Sequence, residues 1–132
     1  MDTKIDFRTK ILVVDHFSAM RKIIRNILKQ IGFNEIAEAD DGSSALTIID
    51  QENIGLVLTD WHLPQISGLE LLRRIRHNDA THHIPVLMVT ADGKKENIVE
   101  AVKAGVDNFV VKPFTASTVK EKVEQVLAKR HP

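Results

Sequence analysis

Four polar residues of types that bind phosphate and metal ions stand at or just beyond the ends of short apolar runs in this chain. They are Asp15, Asp60, Thr90 and Lys112. If the runs are parallel strands, their carboxyl ends share one edge of a sheet, and the four side chains converge on one crevice. Two carboxylates, a hydroxyl and an ammonium in one place could bind a divalent cation and make or break a phosphoryl bond.

Each of the four side chains has a chemical use in such a crevice. An aspartate at a strand end can attack phosphorus and form an aspartyl phosphate. The charge of the transferred group requires a hard cation, whose oxygen ligands could be Asp15, Asp60 and the backbone carbonyl of His62. Lys112 would add a fixed positive charge, and the Thr90 hydroxyl could donate a hydrogen bond to a phosphoryl oxygen. A single strand-end aspartate is more often a turn residue, so the prediction depends on the four together.

The apolar pattern that must position these residues alternates between β-type runs and helical periodicity. Strands are predicted at residues 10–14, 35–39, 56–59, 86–89 and 108–111, and helices at residues 20–31, 43–50, 69–76, 94–104 and from 115. Strict alternation predicts an α/β fold, a doubly wound five-stranded parallel sheet flanked by five helices. The first, third, fourth and fifth strands read as continuous apolar runs, which predicts burial on both faces.

Length and composition limit what the crevice can serve. The 132 residues suffice for one domain, and no linker marks off an output domain within residues 1–132. Without cysteine the chain has no disulfides, thiol nucleophiles or thiolate metal sites. Eighteen basic and eighteen acidic side chains cancel, which argues against non-specific binding to nucleic acid or membranes. No apolar stretch reaches about 18 residues, so no membrane span is expected. We expect the protein to be soluble and cytoplasmic, and to be a monomer.

Short motifs around the strand ends resemble those of the receiver domains of two-component response regulators. The motifs are Val13-Val14-Asp15, Thr59-Asp60-Trp61, Val89-Thr90-Ala91 and Val111-Lys112-Pro113-Phe114. The resemblance extends from about Lys10 to Leu127 and is strongest to the single-domain receivers of chemotaxis. It implies a flavodoxin-like sheet, in agreement with the apolar pattern.

The resemblance also implies a function. Asp60 would accept a phosphoryl group from a histidine kinase of the chemotaxis type, with Mg2+ bound by Asp15, Asp60 and the backbone carbonyl of His62. Thr90 and Phe109 would reorient on phosphorylation. A surface on the fourth helix, fifth strand and fifth helix would then bind a flagellar motor switch protein or another output protein, and a phosphatase is a further candidate partner. The residues expected on this surface are Lys94, Lys95, Ile98, Phe109, Val111 and Lys122. On this interpretation the protein is not a conventional enzyme, although it takes part in its own phosphoryl transfer and dephosphorylation.

Four residues depart from the receiver pattern and affect these expectations. His16 stands where receivers usually carry a second acid. Imidazole is a poor ligand for Mg2+, so we expect weakened Mg2+ binding, with Mn2+ favoured if the ring coordinates. Phe109 replaces a tyrosine, which keeps an aromatic switch but removes its hydroxyl contacts. His62 and Asp92 flank the site and are expected to set the lifetime of the phosphoryl group, because they control the approach of water.

Other functions remain open at this point. A phosphohydrolase on a similar sheet usually needs an acid two residues after the nucleophile, where this chain has His62. A flavodoxin needs small, hydroxyl and glycine residues after the first strand, where this chain has Asp15-His16-Phe17-Ser18. The nearest rival is an atypical receiver with a weakened metal site, acting as a slow or phosphorylation-independent binding partner or as a phosphate sink.

One basic cluster has a simpler interpretation. Arg73, Arg74 and Arg76 alternate with apolar residues of the third predicted helix. Since such charges usually lie on a solvated helix face, we expect all three to be exposed.

Overall fold

The computed structural model of the protein describes residues 5–91 and 93–130, and for Arg130 the backbone alone. Strands and helices alternate throughout. The strands are β1 (Ile11–Val14), β2 (Ile36–Ala39), β3 (Leu56–Thr59), β4 (Val86–Thr90) and β5 (Asn108–Val111). The helices are α1 (Ser18–Ile31), α2 (Gly42–Gln51), α3 (Gly68–His77), α4 (Lys95–Ala104) and α5 (Ala116–Arg130). Every element begins within two residues of its predicted start.

The five strands form one parallel sheet in the order β2-β1-β3-β4-β5. The chain therefore builds outward in both directions from the β1–β3 pair. The doubly wound parallel sheet with five helices is confirmed. In such sheets the ligand crevice lies at the carboxyl ends of the strands, where the winding direction reverses.

Alternate residues of the central strands point into two hydrophobic layers. One layer joins Ile11 and Leu58 to Leu28 of α1 and Val123 of α5. The other layer packs Leu12, Val57 and their neighbours against α2 and α3. Because both faces are covered, β1, β3 and β4 are fully buried, as predicted.

The prediction of burial on both faces is wrong for β5. This strand lies at the edge of the sheet, and Val111 at its end is 41% exposed. Only Val110 is fully buried within it. An apolar run therefore did not distinguish a central strand from an edge strand, because that difference depends on the strand order.

Arg76 also departs from expectation. Arg73 and Arg74 have side chains 46% and 52% exposed, as predicted, but that of Arg76 is only 13% exposed. Its Nη2 lies 2.7 Å from Oδ2 of the buried Asp107, and its other nitrogens donate to the carbonyls of Gly105 and of residues before β4. Arg76 thus ties the end of α3 to the starts of β4 and β5.

Candidate functional site

Hydrogen bonds that continue the sheet hold three of the four predicted site residues. The amide nitrogen of Asp15 lies 3.1 Å from the carbonyl oxygen of Ala39, and that of Asp60 lies 3.0 Å from the carbonyl oxygen of Val14. The amide of Lys112 donates to the carbonyl of Thr90 at 2.9 Å. The three residues therefore follow β1, β3 and β5 directly, on one edge of the sheet.

The side chains of these residues meet. Nζ of Lys112 lies 3.0 Å from Oδ2 of Asp15 and 3.0 Å from Oδ2 of Asp60. Both aspartates are buried, with 1% and 7% of their surfaces exposed. Burial alone would lower the pKa of Lys112, but its hydrogen bonds to the two carboxylates and their charges raise it above the ordinary lysine value. The ammonium is therefore held charged between two acids.

Backbone amides orient the remaining carboxylate oxygens. Oδ1 of Asp15 accepts a hydrogen bond from the amide of Phe17 at 2.9 Å. Oδ1 of Asp60 accepts from the amides of Trp61 at 2.7 Å and His62 at 3.4 Å. Each acid is thus fixed by an amide on one oxygen and by Lys112 on the other.

Gly68, the first residue of α3, lies directly against the Asp60 peptide. Its amide donates to the carbonyl of Trp61 at 2.8 Å, which closes the loop after β3. A Cβ atom on Gly68 would lie 2.0 Å from the carbonyl oxygen of Asp60, so only glycine allows this approach. Sequence reasoning gave Gly68 no role, because a glycine near a helix start has many ordinary explanations.

Thr90 occupies the fourth predicted position, at the end of β4. It is buried and lines a small cavity together with Phe109 and Trp61. Phe109 is half-buried there. Thr90 thus shares this cavity with Phe109, and its backbone carbonyl accepts the hydrogen bond from the amide of Lys112. The reorientation of Thr90 and Phe109 on phosphorylation stays a prediction.

The two histidines beside the crevice are exposed. The ring of His16 packs edge-on against Phe17, with 5.3 Å between ring centroids. The pKa of Asp41 at the start of α2 is lowered mainly by hydrogen bonds from Ser44, and the charge of His16 adds a smaller effect in the same direction. Asp92, the other predicted flanking residue, lies outside the described residues.

The donors in the crevice fit a hard cation. In the described ranges, no three side chains of His, Asp or Glu converge into a cage that could hold a metal ion. Mg2+ does not need such a cage, because it is usually held by one or two carboxylates together with waters and substrate phosphate. Asp15 and Asp60 would provide the two carboxylates, and the carbonyl of His62 is the predicted third oxygen.

The six residues predicted for a partner surface lie on or next to the three expected elements. Lys94 and Lys95 are exposed at the start of α4, and Val111 is exposed at the end of β5. Ile98, Phe109 and Lys122 are partly buried. Sequence reasoning missed Val99 and Val102, large apolar residues of α4 that are 41% and 60% exposed.

Comparison with known proteins agrees with this geometry. A family described as "Response regulator receiver domain" matches residues 11–124. The chemotaxis protein CheY of Pseudomonas aeruginosa is 50% identical over 117 residues, which cover 89% of this chain and 94% of that protein. The chemotaxis protein CheY-3 of Vibrio cholerae is 46% identical over 126 residues, covering 96% of this chain and 97% of that protein.

Solved structures give the same result for the fold. The chemotaxis response regulator CheY4 of Vibrio cholerae superposes with a TM-score of 0.85 at 27% identity, covering 91% of this chain and 99% of that one. A CheY-like receiver domain protein of Methanospirillum hungatei also gives a TM-score of 0.85, at 29% identity, over 93% of this chain and 96% of its own. Among the described residues, no helix has the length and apolar content needed to cross a membrane. The chain therefore belongs to the response regulator receiver domain family and is a relative of the CheY chemotaxis proteins.

Proposed function

We propose that this chain is a phosphorylation-switched signalling protein of a two-component system, which accepts a phosphoryl group on Asp60 from a histidine kinase. The observation that carries the proposal is Lys112, whose Nζ lies 3.0 Å from a carboxylate oxygen of both Asp15 and Asp60. A half-buried ammonium between two buried acids at a strand-end crevice is suited to a doubly charged phosphoryl group. The relatives named as chemotaxis proteins support a role in chemotaxis.

The chemistry is a displacement at phosphorus. A carboxylate oxygen of Asp60 attacks, the P–N bond to the donor imidazole breaks, and the imidazole leaves with the electron pair and takes up a proton. Lys112 neutralises charge on the group that arrives, and the Thr90 hydroxyl donates a hydrogen bond to it. Mg2+, held by Asp15, Asp60 and the carbonyl of His62, would supply further neutralisation of the phosphoryl oxygens. Water later attacks the same phosphorus and breaks the P–O bond to Asp60, which releases phosphate and restores the acid.

The proposed output is binding to a partner protein, and no separate substrate is transformed. Val99 and Val102 of α4 and Val111 of β5 are exposed apolar residues, and Lys94 and Lys95 add positive charge at the start of α4. Such a mixed face suits an amphipathic helix with acidic flanks, and the proposed partner is a flagellar motor switch protein. A phosphatase is a further proposed partner.

Labelling with a small phosphodonor tests the phosphoacceptor. Wild type incubated with acetyl phosphate and Mg2+ should gain a phosphoryl group by intact mass, and Asp60→Asn should not. Lys112→Ala should still be labelled but should no longer couple the label to partner binding. Undiminished labelling of Asp60→Asn would refute the assignment.

Charge reversal tests the output face. Lys94→Glu combined with Lys95→Glu should weaken binding of the phosphorylated protein to a motor switch protein while the labelling rate stays unchanged. The matched control is Arg74→Glu, on the exposed face of α3. If the control abolished binding and the double variant did not, the output face would be wrongly assigned.

His16 favours one alternative. With a histidine beside Asp15 in place of an acid, the crevice carries one negative charge less, which weakens Mg2+ binding. A receiver of this kind could act slowly, independently of phosphorylation, or as a phosphate sink. Equal affinity of wild type and Asp60→Asn for the output partner, with and without acetyl phosphate, would favour this alternative.

A further inference from the structure

Arg21, in the first turn of α1, contacts the backbone of the loop that carries Asp15. Its Nη1 lies 2.7 Å from the carbonyl oxygen of Asp15 and 3.5 Å from that of His16. Its Nε lies 3.0 Å from Oε1 of Glu38 on β2. The Arg21 side chain is 17% exposed, so its hydrogen bonds to Asp15 and Glu38 are partly shielded from water.

We propose that Arg21 is a positioning residue for phosphoryl transfer: anchored by Glu38, it fixes the Asp15–His16 peptide and so keeps the Asp15 carboxylate in the crevice. This inference rests on the proposed function, because it concerns the same site. The carboxylate of Asp15 meets Lys112 only while its own backbone keeps its present orientation, and the Arg21 hydrogen bond holds the carbonyl of that residue.

The planar guanidinium is suited to this task. It donates to Glu38 through one nitrogen and to the loop carbonyl through another, in a fixed geometry. A lysine at this position would have a single nitrogen on a flexible chain and would not hold both partners in the same way. The strand β2, the helix α1 and the loop after β1 are thereby joined at one side chain.

Arg25 provides a matched control within the same helix. Its Nη1 lies 3.2 Å from Oε2 of Glu38, so it shares the acid with Arg21. Its side chain is 43% exposed and lies one turn further along α1. A substitution of Arg25 therefore removes a charge and an ion pair with Glu38 but leaves the Arg21 hydrogen bond to Asp15 in place.

Amide hydrogen exchange tests the positioning without metal or phosphodonor. The amide of Phe17 donates to Oδ1 of Asp15, so its exchange rate reports whether that carboxylate keeps its place. In Arg21→Met this amide should exchange about tenfold faster relative to the other protected amides, the effect of one lost charge-assisted hydrogen bond. Arg25→Met should leave it within about twofold of wild type. Unchanged protection in Arg21→Met would overturn the inference, and Arg21→Lys, with a smaller increase expected, provides the same test should Arg21→Met not fold.

Measurements of Mg2+ affinity and labelling rate separate this inference from the proposed function. Mg2+ affinity, followed by the fluorescence of Trp61, and the rate of labelling by acetyl phosphate should each fall about tenfold in Arg21→Met and stay unchanged in Arg25→Met. If wild type takes no label, the proposed function fails, while the exchange of the Phe17 amide still decides the role of Arg21. If wild type is labelled and Arg21→Met matches it in Mg2+ affinity and rate, the role of Arg21 is refuted and the proposed function stands.

Discussion

Substitution of Gly68 by alanine should disturb the phosphoacceptor more than its small size suggests. The added Cβ would lie 2.0 Å from the carbonyl oxygen of Asp60 and 3.0 Å from the Cα of Trp61. Real Cβ contacts essentially never fall below 3.0 Å, so α3 and the Asp60 peptide must separate by 1 Å or more. The obstacle is backbone on both sides, and it cannot be relieved by a change of side-chain rotamer.

The energetic cost follows from two opposing effects. Overpacking in a well-packed region costs about 1–3 kcal/mol, and a backbone clash belongs at the upper end. Alanine in place of glycine raises the free energy of unfolding by about 0.4–1 kcal/mol, because it restricts the unfolded chain. We therefore expect Gly68→Ala to lower the free energy of unfolding by about 2 kcal/mol. With a urea m-value of about 2 kcal/mol/M, the unfolding midpoint should fall by about 1 M.

The effect on chemistry should be larger. A displacement of about 1 Å at a reacting group can cost about 100-fold in rate, so labelling of the folded fraction by acetyl phosphate should slow by about that factor. Gly93→Ala is the matched control, because among the described residues its added Cβ would meet the side chain of Val111 alone, at 3.5 and 3.6 Å. Urea unfolding followed by Trp61 fluorescence and intact-mass labelling measure both quantities. A Gly68→Ala variant as stable and as readily labelled as Gly93→Ala would refute the reasoning.

Three further predictions follow from the site and its surroundings. His16→Asp restores a negative charge to the crevice and should tighten Mg2+ binding by about tenfold or more, and a titration that shows no gain would make His16 a silent replacement. The pKa of Lys112 is raised in the folded state, so its proton stabilises the fold fully at any pH below the ordinary lysine pKa. This contribution is lost as the pH rises through the raised pKa of the folded state. Urea midpoints should therefore fall above about pH 10.5, and fall less in Lys112→Met. Asp107→Asn leaves the guanidinium of Arg76 without its buried carboxylate and should cost about 3 kcal/mol in urea unfolding. Arg74→Met is the exposed control: loss of its ion pair with Glu70 should cost less than about 1 kcal/mol.

The features that could be predicted from sequence are those that depend on local pattern. The runs of β1, β3 and β4 are buried on both faces, so their apolar character is continuous and marks them directly. Asp15 and Asp60 follow such runs, and parallel strands end on one edge, so their convergence with Lys112 needed no knowledge of distances. The αL glycine that ends α4, Gly105, was also evident as a helix stop.

The features that could not be predicted depend on contacts between distant elements. Arg76 looks like any solvated arginine until Asp107, 31 residues later, is packed against it. Arg21 and Glu38 meet only because β2 lies beside β1. The close approach of Gly68 to the Asp60 peptide is likewise set by how α3 packs on the sheet.

Chemical trapping of the phosphorylated residue tests the central claim most directly. Borohydride reduces an aspartyl phosphate to homoserine, so protein treated with acetyl phosphate and Mg2+ can be reduced, digested and sequenced by mass spectrometry. We predict homoserine at position 60 of the wild-type chain, and none when Mg2+ and acetyl phosphate are omitted. Conversion at Asp15 instead, or a phosphoryl group carried by a histidine with Asp60 left intact, would contradict the account.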